Sequence, residues 1–243
     1  MANTSILVIK NTKHEWPGLI NKVLMENGLR STLYAPSFTS YKSKFPNPKD
    51  YKAVFVLGGP QSANDAGMKP ELEFINQALQ GNTPYFGICL GMQMLAKAAG
   101  GTVYRAVIKE VGFTYQDKEY EVKLTDGGKE DPLFQGLEKA VFPVFQLHGE
   151  TVGLNAKIRL LGTGGSESQI PVQVIKVGDK AYGFQPHIEH TRSWIENLLP
   201  NDNDLRELDA NDVMRYYDSV AKVREEFNAR IINRFLQIAG VVR

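Results

Sequence analysis

Cysteine is almost absent from this chain, since Cys89 is the one cysteine in 243 residues. A lone cysteine cannot form an internal disulfide bond, so the fold does not depend on an oxidising compartment. Long apolar runs are missing as well, and no stretch approaches the roughly 20 residues that span a bilayer. The first residues lack the basic and apolar segments of a secretory signal. We therefore expect a cytoplasmic protein with no membrane partner.

The chain has no excess of charge of either sign. It contains 28 basic and 27 acidic residues, which gives a net charge of +1. Such a balance does not attract a phosphate backbone, so we expect no nucleic-acid partner. A G-x-x-x-x-G-K-[ST] phosphate loop is also missing. Internal repeats, low-complexity tracts and linkers are not apparent. We predict a single domain over residues 1–243, with neither a metal nor a cofactor.

Short apolar strands alternate with amphipathic helices in the first hundred residues. The patterns predict strands at 5–9, 31–36, 53–57 and 84–88, and helices at 16–27, 69–81 and 90–101. The Pro-, Lys- and Ser-rich segment from Ser37 to Asp50 is predicted to be a loop. Such alternation indicates a mostly parallel sheet with helices on both faces. Ligands bind such sheets at the carboxyl ends of the strands.

The middle of the chain has a different pattern. Strand-like segments separated by Gly, Asp and Asn turns run from about 103 to 185, followed by a helix at 192–199. The segment from about Asp212 to Ala239 is amphipathic and predicts one or two closing helices. The expected fold class is α/β with three layers: a mostly parallel central sheet, helices on both faces, and a partly antiparallel extension of the sheet.

Cys89 lies in the frame Gly87-Ile88-Cys89-Leu90-Gly91, between a predicted strand and a predicted helix. In a nucleophile elbow the reactive residue occupies such a turn, and the flanking glycines let strand and helix pass closely. A helix N-terminus also stabilises a thiolate. The alternative is that Cys89 is a small buried apolar side chain, as free cysteines often are.

A thiolate nucleophile needs a base and an oxyanion hole. His187 follows a predicted strand, and Glu189 lies two residues later, on the same side of an extended segment. Glu189 is therefore a candidate to orient the imidazole, although a surface histidine beside a solvated glutamate has the same spacing. Backbone N–H groups of Gly59, in a turn at the same sheet edge, and of Leu90 are candidate oxyanion donors.

Three segments in one order, VLGGPQS, FGICLGMQMLAKAAGG and GFQPHIEHT, resemble the class I (triad) glutamine amidotransferases. The resemblance runs from about Ser5 to Glu189 and includes the closing helix. It is nearest to stand-alone GMP synthase-like members, and it implies a flavodoxin-like fold. The implied reaction is hydrolysis of the glutamine side-chain amide to glutamate and ammonia through a glutamyl-thioester, with Cys89, His187 and Glu189 as the triad.

The resemblance also implies substrate contacts. Gln93, one turn into the elbow helix, would contact the amino-acid moiety of glutamine, together with the backbone of Gly149 and Glu150. His148 would lie beside them, or would be a structural turn residue. One departure concerns the third segment, where the family usually has Phe-His-Pro-Glu. Here Pro186 precedes the histidine instead of following it, so the local backbone must differ.

The acceptor of the ammonia is not specified by the sequence. The chain has no room for a synthase domain after the glutaminase segment, so a separate ammonia-accepting synthase subunit is one expected partner. A γ-glutamyl peptide or amide hydrolase that uses the same triad is an alternative. A non-catalytic regulatory binding module with the same fold is another, although the intact residues Cys89, His187 and Glu189 argue against it.

Overall fold

The computed structural model describes residues 5–36, 44–137, 139–165 and 170–243. Part of the loop expected between Ser37 and Asp50 therefore lies outside the described residues. The described part of that loop contains a short 3-10 turn at Pro48–Asp50. Elsewhere the alternating strands and helices follow the order expected from the sequence, and their bounds differ from the expected ones by a few residues.

The regular elements account for most of the described residues. The helices are α1 (Gly18–Glu26), α2 (Lys69–Gln80), α3 (Leu90–Ala98), α4 (Asp126–Lys129), α5 (Arg192–Leu198) and α6 (Ala210–Ile238). The strands are β1 (Ser5–Ile9), β2 (Arg30–Tyr34), β3 (Ala53–Val56), β4 (Tyr85–Ile88), β5 (Thr102–Gly112), β6 (Thr114–Tyr115), β7 (Lys118–Glu119), β8 (Glu121–Leu124), β9 (Val141–Pro143), β10 (Gln146–Gly153), β11 (Ile158–Gly164), β12 (Val174–Val177) and β13 (Ala181–Phe184).

The main sheet has the strand order β2-β1-β3-β4-β13-β12-β11-β8-β9. The strands from β2 to β13 in this order pair in parallel. The strands from β13 to β9 pair antiparallel. The expected fold class, a mostly parallel α/β sheet with a partly antiparallel extension, is therefore confirmed.

Helices cover both faces of the parallel half of the sheet. Along β1, Ile6 and Val8 point into one apolar core, and Leu7 and Ile9 point into the other. This alternation is the reason why β1 is wholly apolar, because both of its faces are covered. The first core is closed by α1 and α6, and the second by α2 and α3. The amphipathic C-terminal segment forms one continuous helix, α6, capped by the Asp209 side chain.

The strand-like middle of the chain is divided, within the described residues, among three sheets, one of which is the short pair β6–β7. Strands β5 and β10 form a separate antiparallel ribbon, whereas β8 and β9 join the main sheet. The apolar run AVFPVFQLHGETV therefore contains two strands of different sheets, β9 and β10, rather than one. The pairing of β10 with β5 shifts register between His148 and Glu150, so residues 106–109 of β5 form a bulge opposite Gly149. The ribbon places this bulge over the carboxyl end of the parallel strands, beside Cys89.

Among the described residues, no helix combines the length and the apolar character that crossing a membrane requires.

Candidate active site

A cleft of about 760 Å³ opens at the carboxyl edge of the parallel strands. Its walls come from the turns after β1, β3, β4 and β13, from the ribbon of β5 and β10, and from the segment after α5. Strands β4 and β13 are neighbours in the sheet, so the residues that follow them meet. The structure thereby brings Cys89, which follows β4, to His187, which follows β13.

Cys89 forms the sharp turn between β4 and α3. Its backbone has φ +50° and ψ −107°, a conformation that residues other than glycine rarely adopt. Helix α3 passes so close to strand β3 that a Cβ on Gly91 would lie 2.2 Å from the carbonyl oxygen of Val56. A Cβ on Gly87 would lie 2.4 Å from the Gly91 carbonyl group. Both flanking glycines are therefore required by the elbow, and the thiol is placed at the N-terminus of α3.

His187 is buried and contacts the proposed nucleophile on one side and a carboxylate on the other. Its ring interacts with the Cys89 side chain, and its Nδ1 lies 2.7 Å from Oε1 of Glu189. The Cys89 thiol is also 3.6 Å from the carbonyl oxygen of Leu147. Burial disfavours the charged imidazolium, but the charge of Glu189 and the contact with Cys89 outweigh it and raise the pKa of His187 well above its usual value.

Pro186 does not displace His187 from this arrangement. The backbone N–H groups on either side of it are both used, since Gln185 N–H donates to Gln173 O at 2.8 Å and His187 N–H donates to Phe145 O at 2.9 Å. In an extended segment, the N–H group of residue 186 would point away from those of residues 185 and 187. Proline at position 186 has no N–H group, so it removes neither of these two hydrogen bonds. The aromatic ring of Trp194 supports the imidazole, with 5.3 Å between ring centroids.

Gly59 and Leu90 lie together beside Cys89. Gly59 lines the cleft in the turn after β3, and a Cβ on it would lie 3.2 Å from Cδ2 of Leu90. Leu90 is the first residue of α3, where backbone N–H groups have no partner within the helix. The two backbone segments that the sequence suggests for an oxyanion hole are thus adjacent in space.

The expected substrate residues line the same cleft, but their side chains are largely engaged with the protein. The Gln93 amide donates to Glu150 O at 3.1 Å. The Nδ1 atom of His148 lies 3.2 Å from the same oxygen. The other ring nitrogen of His148 is 3.2 Å from Oε2 of buried Glu110, out of line for a hydrogen bond. Gly149 and Glu150 border the cleft, with Gly149 opposite the bulge of β5.

Several cleft residues were not identified from the sequence. The Ser62 hydroxyl donates to the Glu150 carboxylate at 2.9 Å. Arg105 and Lys109 on β5 line the cleft, as does Asp202 in the segment after α5. Glu15 is buried beside His187. The one feature of the sequence that could have indicated Glu15 as a cleft residue is its position after β1, at the carboxyl edge of the sheet.

The donor atoms of Glu15, His187 and Glu189 all lie within 4.8 Å of one another, which is close enough for them to share a cation. Since Nδ1 of His187 already contacts Glu189, a cation bound through that nitrogen would displace the hydrogen bond. Another buried histidine, His190, packs its ring against Phe113 and Tyr217. Burial lowers the pKa of His190 to about 3, so it stays neutral.

The cysteine elbow and the histidine–glutamate pair thus meet at the carboxyl edge of a parallel sheet. Residues 15–203 match the glutamine amidotransferase class-I family. A glutamine amidotransferase-like protein of Salmonella typhimurium, YfeJ, is 30% identical over 74% of this chain and 73% of its own length. The chain belongs to the class-I glutamine amidotransferase family.

More distant relatives agree with this assignment. A glutamine-hydrolysing GMP synthase of Natranaerobius thermophilus is 26% identical over 93% of this chain, but the match spans only 42% of that protein. This chain thus corresponds to less than half the length of the GMP synthases that it matches. A solved glutamine amidotransferase of Thermotoga maritima has a TM-score of 0.82 at 25% identity, covering 98% of this chain and 100% of that one.

Proposed function

We propose that this chain is a glutaminase that hydrolyses the side-chain amide of glutamine to glutamate and ammonia. The observation that carries the proposal is the contact of the Cys89 thiol, held at the elbow before α3, with the His187 ring that Glu189 engages. Family membership supports the same reaction, because relatives such as GMP synthase are glutamine-hydrolysing.

In the proposed first half-reaction, the Cys89 sulfur attacks the amide carbon and forms a tetrahedral adduct. His187 takes the thiol proton and passes it to the nitrogen as the C–N bond breaks, which releases ammonia and leaves a glutamyl-thioester. Glu189 holds the imidazole and stabilises its charged form. The N–H groups of Gly59 and Leu90 stabilise the negative oxygen.

In the second half-reaction, His187 accepts a proton from water, whose oxygen attacks the thioester carbon. The C–S bond breaks and Cys89 recovers a proton as glutamate leaves. We place the amino-acid end of glutamine along Gln93 and the segment His148–Glu150. The hydrogen bonds of Gln93 and His148 to Glu150 O hold this segment in place.

The direct test is glutamate formation from glutamine by the purified chain. We expect Cys89→Ser to lower kcat by at least about 1000-fold, because removing a triad nucleophile removes most of the chemical catalysis. The unfolding midpoint reports whether the variant remains folded. Glutamate formation by folded Cys89→Ser at the rate of the unmodified chain would contradict the proposed nucleophile.

A second candidate is hydrolysis of γ-glutamyl amides or peptides by the same triad. The observation that favours it is the cleft volume of about 760 Å³, which is in the range that holds drug-sized ligands. Charged residues, among them Arg105 and Asp202, line the same cleft as Cys89. A kcat/KM for γ-glutamyl peptides well above that for glutamine would favour this candidate. No Cys89-dependent turnover of either substrate would favour a binding module instead.

The proposed partner is a separate synthase that accepts the ammonia. The support is that the GMP synthase relatives are more than twice as long as the segment they share with this chain. Adding a candidate synthase to the purified chain tests the pairing. Coupling predicts that glutamine replaces free ammonia as nitrogen donor and that glutamate formation accelerates. An acceptor that is aminated only with added ammonium would reject that partner.

A further inference from the structure

Glu15 is a buried carboxylate that the proposed mechanism does not use, although it lies against the imidazole of His187. It belongs to the segment between β1 and α1. The first turn of α1, which follows this segment, is tied to the site by the backbone hydrogen bond from Leu19 N–H to Glu189 O, at 2.8 Å. This bond keeps the chain that follows Glu15 beside the histidine–glutamate pair.

The turn after β3 leaves room for Glu15 and His187 to approach each other. A Cβ on Gly58 would lie 2.5 Å from Oε2 of Glu15 and 2.9 Å from Cε1 of His187. The carboxylate oxygen and the ring carbon thus border the same small space, which any larger residue would fill. Cε1 lies between the two ring nitrogens and shares the positive charge of an imidazolium, so an anion beside it stabilises that form.

The contacts of the imidazole are divided among three groups. The Cys89 side chain interacts with the ring, and Glu189 is hydrogen-bonded to its Nδ1 atom. Glu15 faces the remaining edge, and its donor atom is within 4.8 Å of those of His187 and Glu189. The Oε2 atom of Glu15 is buried and has no hydrogen-bond partner. An unpartnered buried carboxylate oxygen is costly, so its position beside a chargeable ring calls for an explanation.

The charges around Glu15 come from every neighbouring element. His187 and Lys10 favour its ionised form, whereas Glu189 and Asp202 oppose it. Burial is the largest effect and raises the pKa of Glu15 to about 7. Glu15 therefore changes charge near neutral pH, where the family's reaction is expected to run.

We propose that Glu15 is a second carboxylate partner of His187, a positioning residue that holds the ring edge and stabilises the imidazolium when it is ionised. The inference rests on the proposed role of His187 as the base. Ionised Glu15 favours the pair of Cys89 thiolate and His187 imidazolium, because its negative charge lies beside the positively charged ring. Protonation of Glu15 weakens that pair, so acid reduces activity through Glu15.

The test is an NMR titration of His187 in the full chain with ¹⁵N-labelled histidine. Only 4 histidines are present, and His187→Gln assigns the signal. An opposite charge within about 4–6 Å shifts a pKa by about 1–3 units. We therefore expect Glu15→Gln to lower the His187 midpoint by about one unit or more. In the unmodified chain, kcat/KM should rise near pH 7 as Glu15 loses its proton. We expect Glu15→Gln to remove this rise.

Glu71→Gln is the matched control. Glu71 is likewise buried, with its pKa raised by burial to about 7, but its carboxylate contacts Asn11 rather than the histidine. It should leave the His187 midpoint and the activity profile unchanged. Equal midpoints for Glu15→Gln and the unmodified chain would overturn the proposal, as would an equal shift in Glu71→Gln.

A second measurement applies if Glu15→Gln does not fold. In the unmodified chain, ¹³C signals of the Glu15 carboxyl group should titrate at the same pH as a step in the His187 signal. Glu15→Asp, which keeps the charge at a shorter reach, should retain a smaller step. A His187 signal with no step at the Glu15 midpoint would reject the inference. These titrations need no turnover, so they give a result even if glutamine is not the substrate.

Discussion

At Cys89 a strained backbone conformation coincides with the proposed nucleophile. The positive φ of a non-glycine residue costs on the order of 1–3 kcal/mol and persists only where surrounding contacts fix it. Those contacts are present, because Cys89 N–H donates to Phe184 O at 2.7 Å and Gln93 N–H donates to Cys89 O at 3.0 Å. The backbone of β13 and the first turn of α3 therefore hold the thiol towards the cleft.

The residue-scale prediction concerns Glu189, whose carboxylate accepts from Nδ1 of His187. Glu189→Gln removes the charge that stabilises the imidazolium. We expect kcat for glutamine hydrolysis to fall by about 10²–10⁴-fold, by analogy with triads whose acid is neutralised. The control is Glu196→Gln on α5, whose exposed carboxylate pairs with Arg192. The measurement is the steady-state kcat of both variants. Similar kcat values for Glu189→Gln and Glu196→Gln would exclude the proposed role of Glu189.

At the scale of the elements, the elbow depends on how closely α3 approaches β3. Gly91 in the first turn of α3 lies against the Val56 carbonyl group, and backbone atoms cannot yield as a flexible side chain can. The same contact fixes the helix N-terminus beneath the thiol. Packing between the two elements thus determines both stability and the position of Cys89.

Gly91→Ala tests this dependence. The added methyl group would stand 2.2 Å from the Val56 oxygen, so we expect a loss of at least about 2 kcal/mol in the free energy of unfolding. Gly127→Ala in α4 is the matched control, because its nearest contact would be an ordinary 3.6 Å. Urea unfolding of the two variants gives the comparison. A Gly91→Ala chain as stable as the control would show that α3 can shift away from β3.

For the whole molecule, two buried carboxylates couple stability to pH. Burial raises the pKa of both Glu15 and Glu71 to about 7. The folded chain keeps these protons where the unfolded chain releases them, so the contribution of the two groups to stability is largest below the unfolded pKa of about 4.5. It falls as the pH rises to about 7, by roughly 3 kcal/mol for each group.

Glu71→Gln removes one of these titrations while it keeps the oxygen that accepts from Asn11. We expect the variant to be more stable than the unmodified chain at pH 8, with the difference shrinking towards pH 5. Urea unfolding at both pH values provides the measurement. A difference that is the same at pH 5 and pH 8 would mean that Glu71 does not titrate in this range.

Much of the fold could be predicted because its signals are local. The apolar run of β1 and the helical period of α1 and α6 reflect burial on two faces and on one face, respectively. The split of residues 140–153 between β9 and β10 could not be predicted, since one apolar alternation fits either sheet. Which strand pairs with β5 is decided by contacts distant in sequence.

The site divides along the same line. The sequence by itself determined the candidate triad, because an elbow needs glycines at fixed offsets and because His187 and Glu189 lie two residues apart in an extended segment. Only the tertiary structure brought Glu15 and Ser62 to the cleft and showed that Pro186 leaves His187 in place. The physical reason is that a buried carboxylate has no local sequence pattern: its neighbours come from separate strands that meet at one edge of the folded sheet.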